Sequence, residues 1–316
     1  MGLGALGYVG YGVETTEGTA VAPTKYIPVT SFSFEDSNDF IVPDQIRHSR
    51  DKYIAMAAPY TVSGTMEMEL IPTDVASLLK SAFTATPVSS AYSGGGYQHV
   101  YTPASVVETV TFESSASDVL IMRYSGVRVN TLEIKAAFGE IVTASFGLEG
   151  LDREKQVSAS SPSFTNVTPF HFSGADIKVA SGTLLTTVKD FTFGVNNNIE
   201  RIGTLRKTRA WKRLELGMRE VTLALTIDFT DTSEYDRFLN EDIFDVDLHL
   251  QGQTALAGMT SKPILRIQVP NVRWNKVNVP LSAGDYLEQS VEALIVAPIG
   301  GDIFVATLVN NESSVE

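Results

Sequence analysis

A chain that carries the same run of elements twice must fold so that both copies find equivalent surroundings, and this sequence carries such a run. Shifted by 159 residues, Phe32-Ser33-Phe34 falls on Phe191-Thr192-Phe193. Without a gap, Phe40 then meets Ile199, Ile46-Arg47 meets Leu205-Arg206, and Arg50 meets Arg209. Val62, Met66, Met68 and Leu70 land on Val221, Leu225, Ile227 and Phe229. A second block recurs at a shift of 145, where Val127-Arg128-Val129-Asn130 matches Val272-Arg273-Trp274-Asn275 and Gly139-Glu140 matches Gly284-Asp285. Identity is low, but pattern and order hold, as a diverged duplication leaves them.

Within these blocks apolar and polar residues alternate with period two, the mark of antiparallel strands packed on one face and wet on the other. Val62, Met66, Met68 and Leu70 face one way, and Glu67 and Glu69 the other. The copy turns Val221, Leu223, Leu225, Ile227 and Phe229 inward and Glu220, Thr222, Thr226 and Asp228 outward. The stretch 141–149 alternates likewise, with 287–296 as its weaker partner. One short helix follows the clearest strand of each half. In Thr73–Phe83, Thr73 is the expected N-cap and Val75, Leu78, Leu79 and Phe83 form an apolar stripe. The second stripe is Tyr235, Phe238, Leu239 and Ile243, after the cap candidate Thr232, and both stripes read as core. The expected fold is mainly β, with two tandem β-sandwich or half-barrel domains, each flanked by one short α-helix.

Domain boundaries follow from composition. A first domain spans 1–155, with an N-terminal arm and a Gly/Ser/Tyr/Pro-rich insert at 84–117 that the second copy replaces by the shorter 240–262. A polar linker at 156–168 leads to a second domain at 169–316 that ends in a C-terminal strand or arm. Each copy also has a long segment between its first two strands, 36–60 and 195–219, of a length that usually signals function. The second is basic, with Arg201, Arg206, Lys207, Arg209, Lys212, Arg213 and Arg219 against Glu200 and Glu215. The first is mixed, with Asp36, Asp39, Asp44 and Asp51 beside Arg47, Arg50 and Lys52.

Several function classes lose ground on composition. No stretch reaches the roughly 18–20 apolar residues of a membrane helix, and no basic region opens the chain as a secretory signal would. The absence of cysteine removes disulfide and thiol chemistry and suits a reducing cytoplasm. A formal charge of −13, from 37 carboxylates against 24 Lys and Arg, is opposite in sign to a surface that grips phosphates. Gly2-x-Gly4-x-x-Gly7 lacks the strand that a dinucleotide turn requires, and Ser77-x-x-Lys80 lies on the amphipathic helix without companion motifs. His48, His99, His171 and His249 are scattered without ligand spacing. Asn166 and Asn311 begin sequons by spelling only. The expectation is no catalysis, no cofactor and no metal.

The opening Gly10-Tyr-Gly-Val-Glu14-Thr-Thr-Glu-Gly18-Thr19-Ala-Val-Ala-Pro23, followed by Ile27-Pro28-Val29, resembles the start of tail tube proteins of long-tailed, siphovirus-type bacteriophages. The order that follows is also similar: the Phe32/Phe34 strand, a long loop, a strand and a helix, over most of both halves. The resemblance implies a virion structural protein, made in the host bacterial cytoplasm, whose domains form rings of six around the DNA channel and stack into a tube. A chain with two copies would build the same ring from three subunits with pseudo-sixfold symmetry. Implied partners are other copies of the chain, the tape measure protein, terminator or tail-tip proteins at the tube ends, and passing genomic DNA without specific binding; no membrane is involved.

On this reading the wet strand faces line the lumen, with candidates Glu67, Glu69 and Glu149 in the first copy and Asp228, Glu288 and Glu292 in the second. The long loops supply ring-to-ring contacts, with candidates Arg47, Arg50, Arg201, Arg206, Lys207, Arg209, Lys212 and Arg213. Two rivals remain open. A two-domain carbohydrate-binding or adhesin-like protein would need an exposed aromatic platform, for which Tyr92, Tyr97 and Tyr101 are the candidates. A hydrolase on a β scaffold would need converging carboxylates, which the spacing does not supply.

Overall fold

The computed structural model describes residues 4–105, 108–117, 119–180, 182–205, 207–281 and 286–315. The first half contains β1 (Tyr8–Val13), β2 (Lys25–Ile27), β3 (Ser31–Ile41), β4 (Met56–Glu69), α1 (Ala76–Ala82), β5 (Val88–Ala91), β6 (Tyr97–Tyr101), β7 (Val110–Ala116), β8 (Leu120–Ala137), β9 (Thr143–Gly150) and β10 (Asp152–Lys155). The second contains β11 (Ala175–Val179), β12 (Thr183–Leu184), β13 (Val188–Asn196), β14 (Glu200–Ile202), β15 (Arg213–Glu215), β16 (Glu220–Asp228), α2 (Ser233–Leu239), β17 (Phe244–Gln251), β18 (Ile264–Asn278), β19 (Glu288–Ile295) and β20 (Val305–Asn310). The chain is mainly β, with one short α-helix in each half, as its alternation implied.

Each half has two layers that share one long strand. The first part of β8 belongs to an outer layer in the order β2–β1–β7–β8–β10, and its second part to an inner layer in the order β3–β4–β9–β8. Gly126 lies where β8 passes between layers, at a φ of 63° that favours glycine. The layers face each other through aromatic contacts, with Phe34 stacked on Tyr124 at 4.1 Å and Phe32 against Phe112 at 6.1 Å. In the second half β18 plays the part of β8, joining an outer β12–β11–β17–β18–β20 layer to an inner β13–β16–β19–β18 layer.

The strand registers repeat at the two sequence offsets. Phe32 lies opposite Met66 as Phe191 lies opposite Leu225, and Met66 opposite Phe146 as Leu225 opposite Val291. Arg128 faces Glu149 as Arg273 faces Leu294. Even the bulge at Asn130, between Val129 and Thr131, recurs at Asn275 between Trp274 and Lys276. A one-residue slip would turn every side chain to the wrong face, so agreement over this many pairs is a demanding match. The counterparts Gly284 and Asp285 lie outside the described residues.

Four sequence expectations change. The segments 36–60 and 195–219 are partly strand: β3 runs to Ile41 and β4 starts at Met56, and the pair Ile41/Met56 recurs as Glu200/Glu215, which makes β14–β15 the distal end of the same hairpin. The insert 84–117 contains three strands, of which β7 pairs with β8 as β17 pairs with β18. The remaining β5–β6 hairpin adds to β20 in the second half rather than forming a loop. Thr73 does not cap α1; Val75 is the cap residue, without a side-chain bond, and the Thr73 hydroxyl bonds to Asp74. Thr232 holds the cap position of α2, but its hydroxyl also goes to a carboxylate, that of Asp236.

The two helical stripes differ as well. Val75, Leu78, Leu79 and Phe83 are buried, whereas Tyr235, Leu239 and Ile243 are 38%, 61% and 53% exposed. The cause is the neighbourhood. Residues of the second half cover α1: Phe304 packs on Phe83 at 4.9 Å, the Asn197 amide donates to the Ala82 carbonyl, and Arg219 donates to the Phe83 carbonyl. Nothing in the chain covers α2 in the same way among the described residues.

One continuous hydrophobic cluster runs from Val9 to Leu308 through both halves. Its first half is pinned by a buried carboxylate. Glu14 accepts from the Gly18 N–H at 2.8 Å, the Thr111 hydroxyl at 2.7 Å and the Gly126 N–H at 2.7 Å. Glu14→Ala would leave the Gly126 and Thr111 donors buried without partners, at about 2–4 kcal/mol. A drop in Tm of several degrees in calorimetry is expected, and an unchanged Tm would contradict this role. Glu113 is a second such group. Burial acts to raise its carboxyl, but hydrogen bonds from Ser160, Tyr8 and Arg123 hold it below the ordinary range. A lowered folded-state pKa adds stability at neutral pH that is lost as pH falls from the ordinary carboxylate value through the lowered one. Glu113→Gln should therefore flatten the acid limb of Tm against pH, and a parallel curve would refute it.

Candidate functional site: an acidic sheet face and two long hairpins

The inner layers of the two halves are one sheet. Strand β13 pairs with β4's counterpart β16 on one edge and with β8 on the other, so that Phe191, Phe193 and Val195 lie opposite Ala136, Ile134 and Leu132. Eight strands result, in the order β3–β4–β9–β8–β13–β16–β19–β18. A single row of facing residues crosses all of them: Ser31, Glu67, Ser145, Glu133, Gly194, Thr222, Leu294 and Arg273.

The six sequence-derived carboxylates lie on this sheet, on the face turned from the core. Glu67, Glu288 and Glu292 are exposed, and Glu69, Glu149 and Asp228 half-buried. They are not equivalent. Asp228 and Glu288 face each other across β16 and β19 with Lys189 between them, at 3.8 Å and 2.7 Å, and the hydrogen bond from Lys189 to Glu288 raises the lysine pKa. Glu292 pairs with Lys276 at 2.6 Å. Glu149 is bound by Arg201, and burial pushes its carboxyl above the usual range against the pull of that arginine. Glu35, Glu133 and Asp190 share the face and were missed in the sequence, although Glu133 and Lys135 alternate with buried Leu132, Ile134 and Ala136 in plain period two. The face is thus acidic with interspersed cations, Lys135, Lys189, Arg273 and Lys276.

The basic residues of the long segments divide into two groups. The second hairpin lies over the first half: Arg201 binds Glu149, Arg209 donates to the Ala58 carbonyl at 2.6 Å, and Trp211 donates to the Tyr60 carbonyl at 2.9 Å. On the same face, opposite Glu149, Arg128 donates to the Leu214 carbonyl and pairs with Glu17 at 2.8 Å. Arg201 and Arg209 are therefore engaged within the chain, and Arg213 pairs with Glu215 beside it. Arg47 rests on the Tyr53 ring at 3.6 Å. Arg47, Arg50, Lys207 and Lys212 are exposed, as are the apolar tips Ile46 and Leu205; Arg206 lies outside the described residues.

Elsewhere the arrangement offers little chemistry. Among the described residues no group of three His, Asp or Glu could hold a metal ion. Ser77 is buried, and Lys80 pairs with Glu108 at 2.5 Å rather than with the serine. His99 is buried between Ser89 and Asn310. Tyr101 is buried, its hydroxyl on the Ala76 carbonyl, and Tyr92 packs against Leu256, Met259 and Val309, so these rings form no exposed platform.

An open acidic sheet whose outer edges have no partner strand among the described residues suits a protein that completes itself by assembly. No curated protein matches this chain. The family model described as phage tail tube protein matches residues 4–293, nearly the whole sequence. The chain belongs to the phage tail tube protein family, and is a structural component of the virion tail.

Proposed function

We propose that three copies of this chain form a ring with pseudo-sixfold symmetry, and that rings stack into the tube through which the phage genome is ejected. The observation that carries this reading is the β8–β13 pairing. It joins two equivalent four-stranded units edge to edge and leaves the two outer edges, β3 and the end of β18, without a partner strand among the described residues. Exposed edges of this kind invite further pairing, and a closed ring removes them. Three chains of eight inner strands at ~4.8 Å spacing give a circumference of roughly 115 Å and a backbone diameter of roughly 37 Å, which strand tilt widens further.

On this reading residues 1–155 and 169–316 are two tube domains joined by the linker 156–168. The siphovirus-type tail, synthesis in the host cytoplasm, and the tape measure, terminator and tail-tip proteins as partners belong to the same proposal. The acidic face is turned to the lumen, where carboxylates repel phosphates and let DNA slide without being held. The exposed Arg47, Arg50, Lys207 and Lys212 reach the neighbouring ring. An adhesin-like role is less well supported, because Tyr101 is buried and Tyr92 is packed into the fold.

Two outcomes are expected. Reversing Glu67, Glu69 and Asp228 to Lys should leave tubes of normal length by electron microscopy but slow genome ejection and reduce infectivity; normal ejection would remove the lumen assignment. Replacing Lys207 and Lys212 by Ala should shorten tubes and make them dissociate at lower salt, since each exposed ion pair contributes about 0–1 kcal/mol and recurs at every ring. Tubes with unchanged length and salt resistance would contradict the stacking role.

A further inference from the structure

The internal junction has a groove and an occupant, while its counterpart has the groove alone. At the junction, the Asn197 N–H donates to the Asn130 carbonyl at 2.8 Å, and the Asn197 side-chain amide donates to the Ala82 and Val129 carbonyls at 2.9 and 3.0 Å. Arg201, four residues on, binds Glu149. The equivalent place in the second half is a cleft of about 410 Å³ lined by Phe238, Leu239, Glu241, Arg273, Trp274, Asn275 and Leu294. Leu239 and Leu294 are 61% and 50% exposed there.

The repeat offset names the residues that fit this cleft. Asn38 holds the position of Asn197 and Val42 that of Arg201, because the pairs Ile41/Met56 and Glu200/Glu215 fix the two hairpins in one register. Asparagine is kept on both sides of the contact: Asn130 and Asn197 inside, Asn275 and Asn38 outside. The neighbouring pair has changed on both sides. Arg201 with Glu149 becomes Val42 with Leu294, so a charged contact is exchanged for an apolar one without stranding a charge. Asn38 is also oriented for the task. Its Oδ1 accepts from Arg153 and Arg209 at 3.2 and 3.3 Å, as that of Asn197 accepts from Arg219 at 3.5 Å. Its Nδ2, the donor Asn197 uses, bonds to no described residue.

We infer that residues 38–42 of a second copy of this chain fill the cleft, while the free edge of its β3 pairs with the end of β18 so that Glu35 lies opposite Asn278. The inference rests on the ring reading above and goes beyond it by fixing the contact. The register is that of Gly194 opposite Glu133 within the chain. It brings Val279 opposite Phe34 and Leu281, 85% exposed in the single chain, opposite Phe32. Asp36, opposite Val277, is the polar residue of this line, and Arg153 holds it at 3.1 Å.

Charge exchange tests the cleft. Leu294→Glu should fold normally, since Leu294 is half exposed, but should raise the concentration needed for ring assembly at least about tenfold, by enclosing against Val42 a carboxylate that has Arg273 across the strand but no counterpart of Arg201. Adding Val42→Arg, which recreates the Arg201–Glu149 pair, should restore assembly. The register is tested by Glu35→Cys with Asn278→Cys in a chain that has no other cysteine. Oxidised rings should run on a denaturing gel as a ladder that ends at three chains. Unimpaired assembly of Leu294→Glu, no rescue by Val42→Arg, or intact rings without an interchain cross-link would each overturn the inference and leave the ring reading standing. A cross-link confined to single chains would overturn it too. A wild-type chain that forms no rings under the microscope would remove the ring reading itself.

Discussion

The pairing of β8 with β13 is the contact on which the rest of the structure depends. It turns two four-stranded inner layers into one sheet of eight, and it brings the second half over the first. Burial of α1 follows from it, because Asn197, Arg219 and Phe304 reach that helix only once the halves are joined. The continuous core follows too, with Phe193 and Phe304 at 5.6 Å and both in one cluster with Met66 and Phe83. The polar part of the contact is local and specific. Beside the bulge that β8 makes against β9, the Asn197 N–H donates to the Asn130 carbonyl, which extends the β8–β13 register by one more pair and fixes the two layers along the strand axis.

Charge is arranged by the same geometry. Strand alternation sends one side chain of every two to the wet face, and in this sheet many of those are carboxylates. Lone charges on such a surface interact weakly through water, at ~1 kcal/mol for neighbours at contact distance. Their effect is collective, an acidic face with a few cations set among it. Pairs such as Lys189 with Asp228 and Glu288 temper the repulsion between carboxylates that face each other across strands. The buried carboxylates do different work. Glu14 and Glu113 are surrounded by donors and tie the N-terminal strand to β7 and β8, a role for which solvent screening is irrelevant.

Much of this was legible in the sequence. The offsets of 159 and 145, read from a handful of apolar positions, reappear as matching strand registers, and the alternation of 61–70 and 141–149 gave the correct inward and outward faces. Less legible were the ends of elements. Thr73 looked like a cap, yet its hydroxyl bonds to the neighbouring Asp74, a local competition that spacing does not reveal. The stretch 84–117 read as an insert rich in glycine and serine, with no strand pattern, yet the hairpin β5–β6 within it pairs with β20, some two hundred residues away. The role of Arg201 was also hidden: in the sequence it belongs to a basic run, and in the fold its partner is Glu149, on a strand of the other half.

By itself the sequence determined which side chains share a face, how many times the pattern occurs and in what order, since these depend on local backbone periodicity. Tertiary structure decided which edges meet. A strand has two hydrogen-bonding edges lying in the plane of the sheet, while alternation reports only on the two faces above and below it. That is why the stripes of α1 and α2 read alike in sequence and fold to different burial. One lies at an edge that the chain closes on itself, and the other at an edge without a partner strand among the described residues.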